Sequence, residues 1–455
     1  MKFHLKQKLV LILAAGLLTA TASSSACAYT LKTLYTFCQQ ANCADGSIPG
    51  SGVIMASNGH LFGTTTFGGP GAHGTIFELI PNAKKTKWNE KTIYTFCQRA
   101  QDCPDGAVPN GGLIVDTAGA LYGVTYQGGP ANEGVAYRLS PNASGRNWKL
   151  TVLHRFCTKL NCVDGVEPNH KLTYAGAAGG APYDGVSPLY GIAGGLGPNG
   201  SSGLVFRLTL QSGKWDYKIV HAFCGGVCTD DGASPEADLI VDGAGDIYGV
   251  TDGGGVGGGG VAFELIPNAK KTKWTETILH AFDAETSLTN GYVPAGGLVM
   301  DASGNLWGTT VYGGINSNYC ALQSCGVVFE LASGQAGFTE SGVHGFCEEA
   351  NCTDGAQTAN GSGSNTKFGP LVTDGSGNFF GATPVGGANG RGTLYAWNGS
   401  AYTVLYDFCQ LSECTDGNDP GAVIRDSAGN LYGTTSAGGN GTFGNNDGTV
   451  FELTP

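Results

Sequence analysis

Apolar and polar residues alternate in short runs bounded by glycine, the pattern of half-buried strands. One run recurs seven times as apolar–aromatic–Gly followed by small residues: Leu61-Phe62-Gly63, Leu121-Tyr122-Gly123, Leu189-Tyr190-Gly191, Ile247-Tyr248-Gly249, Leu306-Trp307-Gly308, Phe379-Phe380-Gly381 and Leu431-Tyr432-Gly433. A Phe closes another run in each copy, at 37, 96, 156, 223, 282, 346 and 408, spaced 59, 60, 67, 59, 64 and 62 residues apart. Between successive Phe residues the pattern predicts four strands. The first is a short apolar strand, such as GLIVD at 112–116. A tight turn follows, with glycine at 59, 119, 245, 304, 377 or 429 supplying the positive φ of a hairpin. The LYGTT strand is next, then a Gly-Gly loop and a third strand such as GTVFEL at 448–453. A longer link leads to the fourth strand, which starts at Trp88, Trp148, Trp215 or Trp274 in four copies.

A four-stranded sheet repeated seven times predicts an all-β, seven-bladed β-propeller, because a lone blade cannot bury both faces and a ring of blades can. The ends fit this. Tyr29 precedes Phe37 by eight residues, as Trp88 precedes Phe96, and the chain ends at Pro455 directly after a third strand. Residues 29–37 are therefore expected to pair into the last blade, closing the ring and removing a sheet edge.

Composition adds the compartment. Glycine accounts for 77 of 455 residues, yet 41% are hydrophobic, which marks a folded, turn-rich chain. A net charge of −12 argues against a nucleic-acid partner, whose phosphates need a basic footprint. Lys2, Lys6 and Lys8, the apolar run 9–18 and Ala26-Cys27-Ala28 have the form of a secretory signal peptide, residues 1–28, leaving one domain over 29–455. No later apolar run is long enough to span a membrane, so a secreted, monomeric protein of the periplasm, cell surface or medium is expected. The other 14 cysteines form close pairs: Cys38 with Cys43, Cys97 with Cys103, Cys157 with Cys162, Cys224 with Cys228, Cys320 with Cys325, Cys347 with Cys352 and Cys409 with Cys414. In an exported chain these read as disulfides. Zinc would need two further ligands per pair, and no such spacing follows.

The residues that recur, G-x-L-Y-G-T-T-x-x-G-G through G-T-V-F-E-L, resemble the gloeo/verruco (GloVer) tandem repeat of exported bacterial proteins, across essentially all of 29–455. The resemblance implies a secreted or surface-attached protein. Members often carry interchangeable C-terminal anchors, and none is read here before Pro455. The strand order is also similar to NHL-type and streptogramin-lyase-type propellers.

Function is less legible. The cysteine loops and Gly-Gly loops should share one face, and a disulfide-pinned loop on a rigid scaffold is a natural place to display binding residues. The residue before the third-strand glycine differs in every copy: His73, Glu133, Ser202, Gly259, Cys325, Arg391 and Asp447. Among these His73, Glu133, Arg391 and Asp447 are candidate ligand-binding groups, and drift at an exposed loop tip is the plainer explanation of the variation. Phe67, Tyr126 and Tyr312, each before a Gly-Gly pair, suit stacking on a sugar or packing between blades. His154, His221, His280 and His344 share a register with Tyr35, Tyr94 and Tyr406, which makes them structural, one per blade. The repeated Asp-Gly fits an Asx turn, with calcium as the alternative. No cofactor or metal set and no hydrolase, metalloprotease or nucleotide-binding motif stands out, and the glycine run 253–260 is expected to be a loop. The leading expectation is a binding or scaffold module for an extracellular carbohydrate or protein partner. An extracellular polysaccharide lyase or hydrolase is the alternative, and a structural envelope or matrix component a further one.

Overall fold

A computed structural model describes residues 29–455 except 99–101, 226–227, 284–290, 315–319, 321–323, 335–336, 358–368 and 442–446. The proposed signal peptide lies outside the described residues. Seven antiparallel sheets follow one another in sequence order and make a seven-bladed β-propeller. The last blade runs Asn418–Arg425, Leu431–Ala437 and Thr449–Thr454, and its fourth strand is Thr30–Thr36 from the other end of the chain. Thr30 pairs with Thr454 and Thr36 with Thr449, so the ring is closed as the sequence pattern requires.

The blades do not have one shared core. Seven apolar clusters each span a seam between neighbouring blades. At the seam of blades 3 and 4, Tyr190, Val205 and Phe223 meet Phe263, Leu265 and Trp274. The repeated motif follows from this packing. The closing Phe meets the aromatic residue of the third strand edge-on, as in Phe37–Phe77 at 5.0 Å and Phe282–Phe329 at 5.2 Å. That third-strand ring also lies across the glycine of the LYG strand: a Cβ on Gly249 would sit 2.6 Å from the Phe263 ring. The fourth-strand tryptophans reach back to the preceding blade, Trp88 to Tyr432, Trp148 to Phe62, Trp215 to Tyr122 and Trp274 to the Arg207 guanidinium.

A second device fixes each seam. The residue three places after the loop aspartate takes a positive φ, 56° at Ile48, 56° at Val108, 51° at Glu167 and 59° at Asp419. Its N–H donates to the carbonyl of the variable residue in the previous blade: Val108 to His73, Glu167 to Glu133, Asp419 to Arg391 and Ile48 to Asp447. The next residue is proline in six copies, and its ring covers the third-strand glycine of the previous blade. Pro168 Cδ would lie 2.8 Å from a Cβ at Gly134, whose φ is +91°. Glycine is required there both by the left-handed backbone and by the proline.

All seven cysteine pairs are bonded: Cys38–Cys43, Cys97–Cys103, Cys157–Cys162, Cys224–Cys228, Cys320–Cys325, Cys347–Cys352 and Cys409–Cys414. The pairing is the one the sequence spacing implies, and the seven bonds are of three kinds. Five share one backbone. Both of their cysteines take a positive φ, as in Cys157 and Cys162 at 53° and 52° and Cys409 and Cys414 at 63° and 52°. The carbonyl of the second cysteine accepts the N–H of the Asp-Gly glycine, Cys162 from Gly165 at 2.9 Å and Cys414 from Gly417 at 2.8 Å. Cys224 and Cys228 take no positive φ, and their Cα atoms stand 6.3 Å apart, against 4.0 Å for Cys157 and Cys162. This pair is also one residue closer in sequence, with a separation of 4 against 5 for Cys157 and Cys162. Cys320–Cys325 lies in a different loop, between the second and third strands of blade 5.

The glycine run 253–260 is shorter as a loop than the sequence suggests. Strand pairing continues to Gly254 and resumes at Gly258, because glycines of either backbone sign still form ladder hydrogen bonds. Blade 3 carries the 67-residue spacing as an insertion. Tyr183 is fully buried there, packs edge-on against Tyr122 at 5.1 Å and bridges Asp116.

Candidate functional site in the central channel

The first strand of each blade lines the channel, running from the stapled loops to the tight turns. Its wall encloses a cavity of about 920 Å³ that reaches the tight turns at Ser57-Asn58 and Thr117 to Gly119. Leu113, Leu172, Leu239, Leu298 and Leu371 stand at one level of five blades and form an apolar waist. Above that waist the wall is nearly bare in most blades. The residues after the seam proline are Gly50-Ser51-Gly52, Asn110-Gly111-Gly112, Ala295-Gly296-Gly297 and Gly421-Ala422 in blades 1, 2, 5 and 7. A Cβ on Gly111 would lie 2.9 Å from the carbonyl of His170, so the bare positions let adjacent strands close up.

Blades 3 and 4 break this pattern with Asn169-His170-Lys171 and Glu236-Ala237-Asp238. The six residues face each other across one seam. The Asn169 amide donates to Glu236 Oε2 at 3.3 Å. His170 lies between two carboxylates, with Nε2 3.5 Å from Glu236 and Nδ1 3.6 Å from Asp238. The Lys171 N–H donates to Asp238 Oδ1 at 3.0 Å, and Lys171 Nζ stands 3.8 Å from Oδ2. Burial alone would raise the Asp238 carboxyl, but the His170 contact and the Lys171 charge hold it down at about 2. Lys171 and Asp238 also line the cavity, which joins this polar group to the apolar waist.

The group extends outward. Burial and the Glu236 charge push the Asp252 carboxyl up to about 7. Burial, a hydrogen bond to Glu167 and the nearby Glu236 and Glu133 charges push the Tyr126 phenol up to about 12. Burial and the Glu167 charge also raise Glu133. Five carboxylates therefore stand around one imidazole, one ammonium, one amide and one phenol, over blades 2 to 4.

Of the seven ligand-binding candidates named from sequence, this arrangement includes Tyr126 and Glu133. The others sit elsewhere around the ring. Arg391 and Asp447 lie at the seams of blades 6/7 and 7/1, with their carbonyls engaged by Asp419 and Ile48. His73 lies at seam 1/2, close to the Cys97–Cys103 disulfide. Phe67 is exposed and its backbone pairs with Ser47, while Tyr312 stacks on Tyr292 at 5.2 Å. At the variable position the main-chain carbonyl makes the seam, whatever the side chain. The bonded cysteines hold loops and do not line the cavity: Cys162, Cys228 and Cys414 are half-buried in their staples, as are Cys43, Cys157, Cys224 and Cys409. His170, Glu236, Asp238 and Asp252 were missed. Their signal is the charged residues of PNHKL and PEADL, where two other copies read PNGGL and PAGGL and two more read PGSGV and PGAV.

Two of the repeated loop aspartates show a shared set of hydrogen bonds. Asp45, fully buried, accepts from the N–H groups of Gln39 and Gln40 at 2.9 and 3.2 Å and from the Tyr35 hydroxyl at 2.7 Å. Asp416 repeats the set with Gln410, Leu411 and Tyr406. Where the Tyr is His, the imidazole takes the same place, as His154 does 3.7 Å from Asp164. Burial pushes His154 down to about 4 despite that aspartate.

The sequence profile of the Gloeobacter/Verrucomicrobia repeat matches residues 19–229 and 173–362. The chain belongs to this repeat family. No curated protein matches it in sequence. Among solved structures it is similar to the extracellular domain of a one-component system from B. thetaiotaomicron, with 12% identity and a TM-score of 0.48 over 92% of this chain and 39% of that one. A protein from Lactobacillus plantarum has 11% identity and a TM-score of 0.47, over 87% of this chain and 99% of that one. A gluconolactonase from Xanthomonas campestris has 10% identity and a TM-score of 0.38, over 94% and 89%. The repeat family thus accounts for the blades and leaves the channel chemistry to be read from the residues. Among the described residues no helix is long and apolar enough to cross a membrane.

Proposed function

We propose that the protein is an exported binding propeller that takes a hydroxyl-rich extracellular ligand, a carbohydrate, at the stapled-face end of the channel over blades 2 to 4. One observation carries this. The bare channel wall gives way to converging amide, carboxylate and imidazole groups at one seam, above a cavity of ligand size. Carboxylates and amides accept from and donate to vicinal hydroxyls, and Tyr126 offers a ring beside them. The stapled loops hold this mouth rigid, and seven disulfides suit an oxidising compartment. Tyr126 and Glu133 enter the site, and His73, Arg391, Asp447, Phe67 and Tyr312 would serve only a ligand large enough to cross the ring.

A second reading rests on Asp252. A carboxyl pushed up to about 7 by burial and by the neighbouring Glu236 carboxylate suits the acid of the paired carboxyls used in polysaccharide cleavage. A glycan-array screen of the purified exported protein, run beside a depletion assay on the same glycans, separates the readings. Saturable binding without depletion, weakened in Glu236→Gln, supports the binding module. Depletion abolished in Asp252→Asn supports the enzyme. Silence in both assays contradicts both and leaves a protein partner or an envelope component.

A further inference from the structure

The stapled loops contain one place where the ring's own symmetry assembles a different chemistry. Each seam brings together three positions: the Tyr or His of one fourth strand, the aspartate of the stapled loop after it, and a residue on the fourth strand of the next blade. That third position lies four residues before the next blade's Tyr or His and reads Leu31, Glu90, Leu150, Tyr217, Glu276, Glu340 and Tyr402. Most combinations are inert. His154 and His344 stack on Tyr217 and Tyr402 at 3.8 and 4.0 Å. His280 meets Glu340 at a seam where the sequence has Asn290, outside the described residues, in place of aspartate. Tyr35 shares Asp45 and Glu90 but brings a phenol. At the seam of blades 3 and 4 alone do a histidine, an aspartate and a glutamate coincide: His221, Asp231 and Glu276.

Their geometry fits a metal. His221 Nε2 lies 3.3 Å from Asp231 Oδ1 and 3.6 Å from Glu276 Oε2, and the three ligand atoms fall within 4.8 Å of one another. Tetrahedral zinc with bonds of about 2.0–2.1 Å to nitrogen and oxygen has ligand-to-ligand edges of about 3.3–3.4 Å. The side chains already stand near that spacing. The support around them is also in place. The other Asp231 oxygen accepts the Cys224 N–H at 2.9 Å, and the His221 ring packs edge-on against Phe223 at 4.7 Å. The burial is consistent with a ligand: Glu276 Oε1 is buried and accepts no hydrogen bond of its own, while the carboxyl lies against Asp231 and His221. Two carboxylates that meet in a half-buried place are offset by a shared proton or by a cation, and the adjacent imidazole completes a donor set for the cation.

We propose that His221, Asp231 and Glu276 form a zinc site at the seam of blades 3 and 4, with a fourth position open to water. The proposal departs from the structural reading of these histidines at His221 alone. The site is independent of the channel ligand.

The test uses the purified exported protein, stripped with a chelator and titrated calorimetrically with zinc ion alone. The expected result is one zinc per chain, with affinity falling roughly tenfold or more in His221→Gln and in Glu276→Gln and unchanged in His154→Gln. Thermal melts keep the test decisive. In chelator, Glu276→Gln melts no lower than the parent because it removes one of two adjacent carboxylates, which shows that it folds. Added zinc raises the parent's Tm and not the variant's. X-ray absorption shows nitrogen and oxygen neighbours without sulfur. No binding, binding that survives either substitution, equal loss in His154→Gln, or sulfur ligation would each overturn the assignment.

Discussion

The channel walls of blades 2 and 5 and those of blades 3 and 4 begin from the same strand and end in opposite roles. In blades 2 and 5 the positions above the leucine waist are Gly111-Gly112 and Gly296-Gly297. A Cβ on Gly297 would lie 3.1 Å from the Asp238 carbonyl, so these glycines serve closure. In blades 3 and 4 the same positions carry His170-Lys171 and Ala237-Asp238, whose side chains pair across the seam. The difference teaches where to look in a repetitive ring. Positions that vary in every copy do not by themselves mark a site, whereas small residues in most copies that give way to charged ones in two adjacent copies bring those side chains together.

Breaking the closure should cost most. Gly134→Val sets a branched side chain at φ +91° against Pro168 and should destabilise the protein by about 3 kcal/mol, read as a lowered calorimetric Tm. Asp416→Ala removes the acceptor for two loop N–H groups and the Tyr406 hydroxyl, and should cost about 2 kcal/mol in urea unfolding.

The channel substitutions sharpen the contrast through pH. Asp238 is held near 2, below its unfolded value of about 3.9, so its contribution is complete above about pH 4 and lost as pH falls toward 2. His170→Ala should shrink that acid loss by about 1 kcal/mol, measured by urea unfolding at pH 5 and pH 2. Asp252 has the opposite sign. Its folded value near 7 lies above the unfolded one, so wild-type stability falls as pH rises from about 4 through about 7. Asp252→Asn should therefore match wild type at pH 4 and exceed it at pH 8 by about 1 kcal/mol. Arg391→Ala, at an exposed loop with its carbonyl in the seam, should change stability by less than about 0.5 kcal/mol.

Most of the fold was legible because it repeats. The LYG glycine, the closing Phe and the third-strand aromatic are one contact written seven times, and the spacing of Tyr29 from Phe37 was enough to place the closing strand. The disulfide pairs followed from spacing, but not the separate geometry of Cys224–Cys228, whose cysteines lack the positive φ shared by five of the other staples. The channel site was not legible by the same method. His170 and Asp238 are 68 residues apart and meet only because neighbouring blades place their first strands side by side. Their register is set by the seam proline and the positive φ before it, neither of which single-strand periodicity reveals. The variable loop residues drew attention instead, because a position seen only as sequence does not show that its carbonyl is the part in use.

The central claim is that the ligand is held by the broken wall of blades 3 and 4 rather than by the loop tips around the ring. Calorimetric titration of a glycan selected on the array into wild type, Glu236→Gln and Arg391→Ala tests it most directly. The account predicts at least a tenfold loss for Glu236→Gln, about 1.4 kcal/mol, with Arg391→Ala within about twofold of wild type. Equal losses in both, or a loss confined to Arg391→Ala, would place the ligand on the loop tips and contradict it.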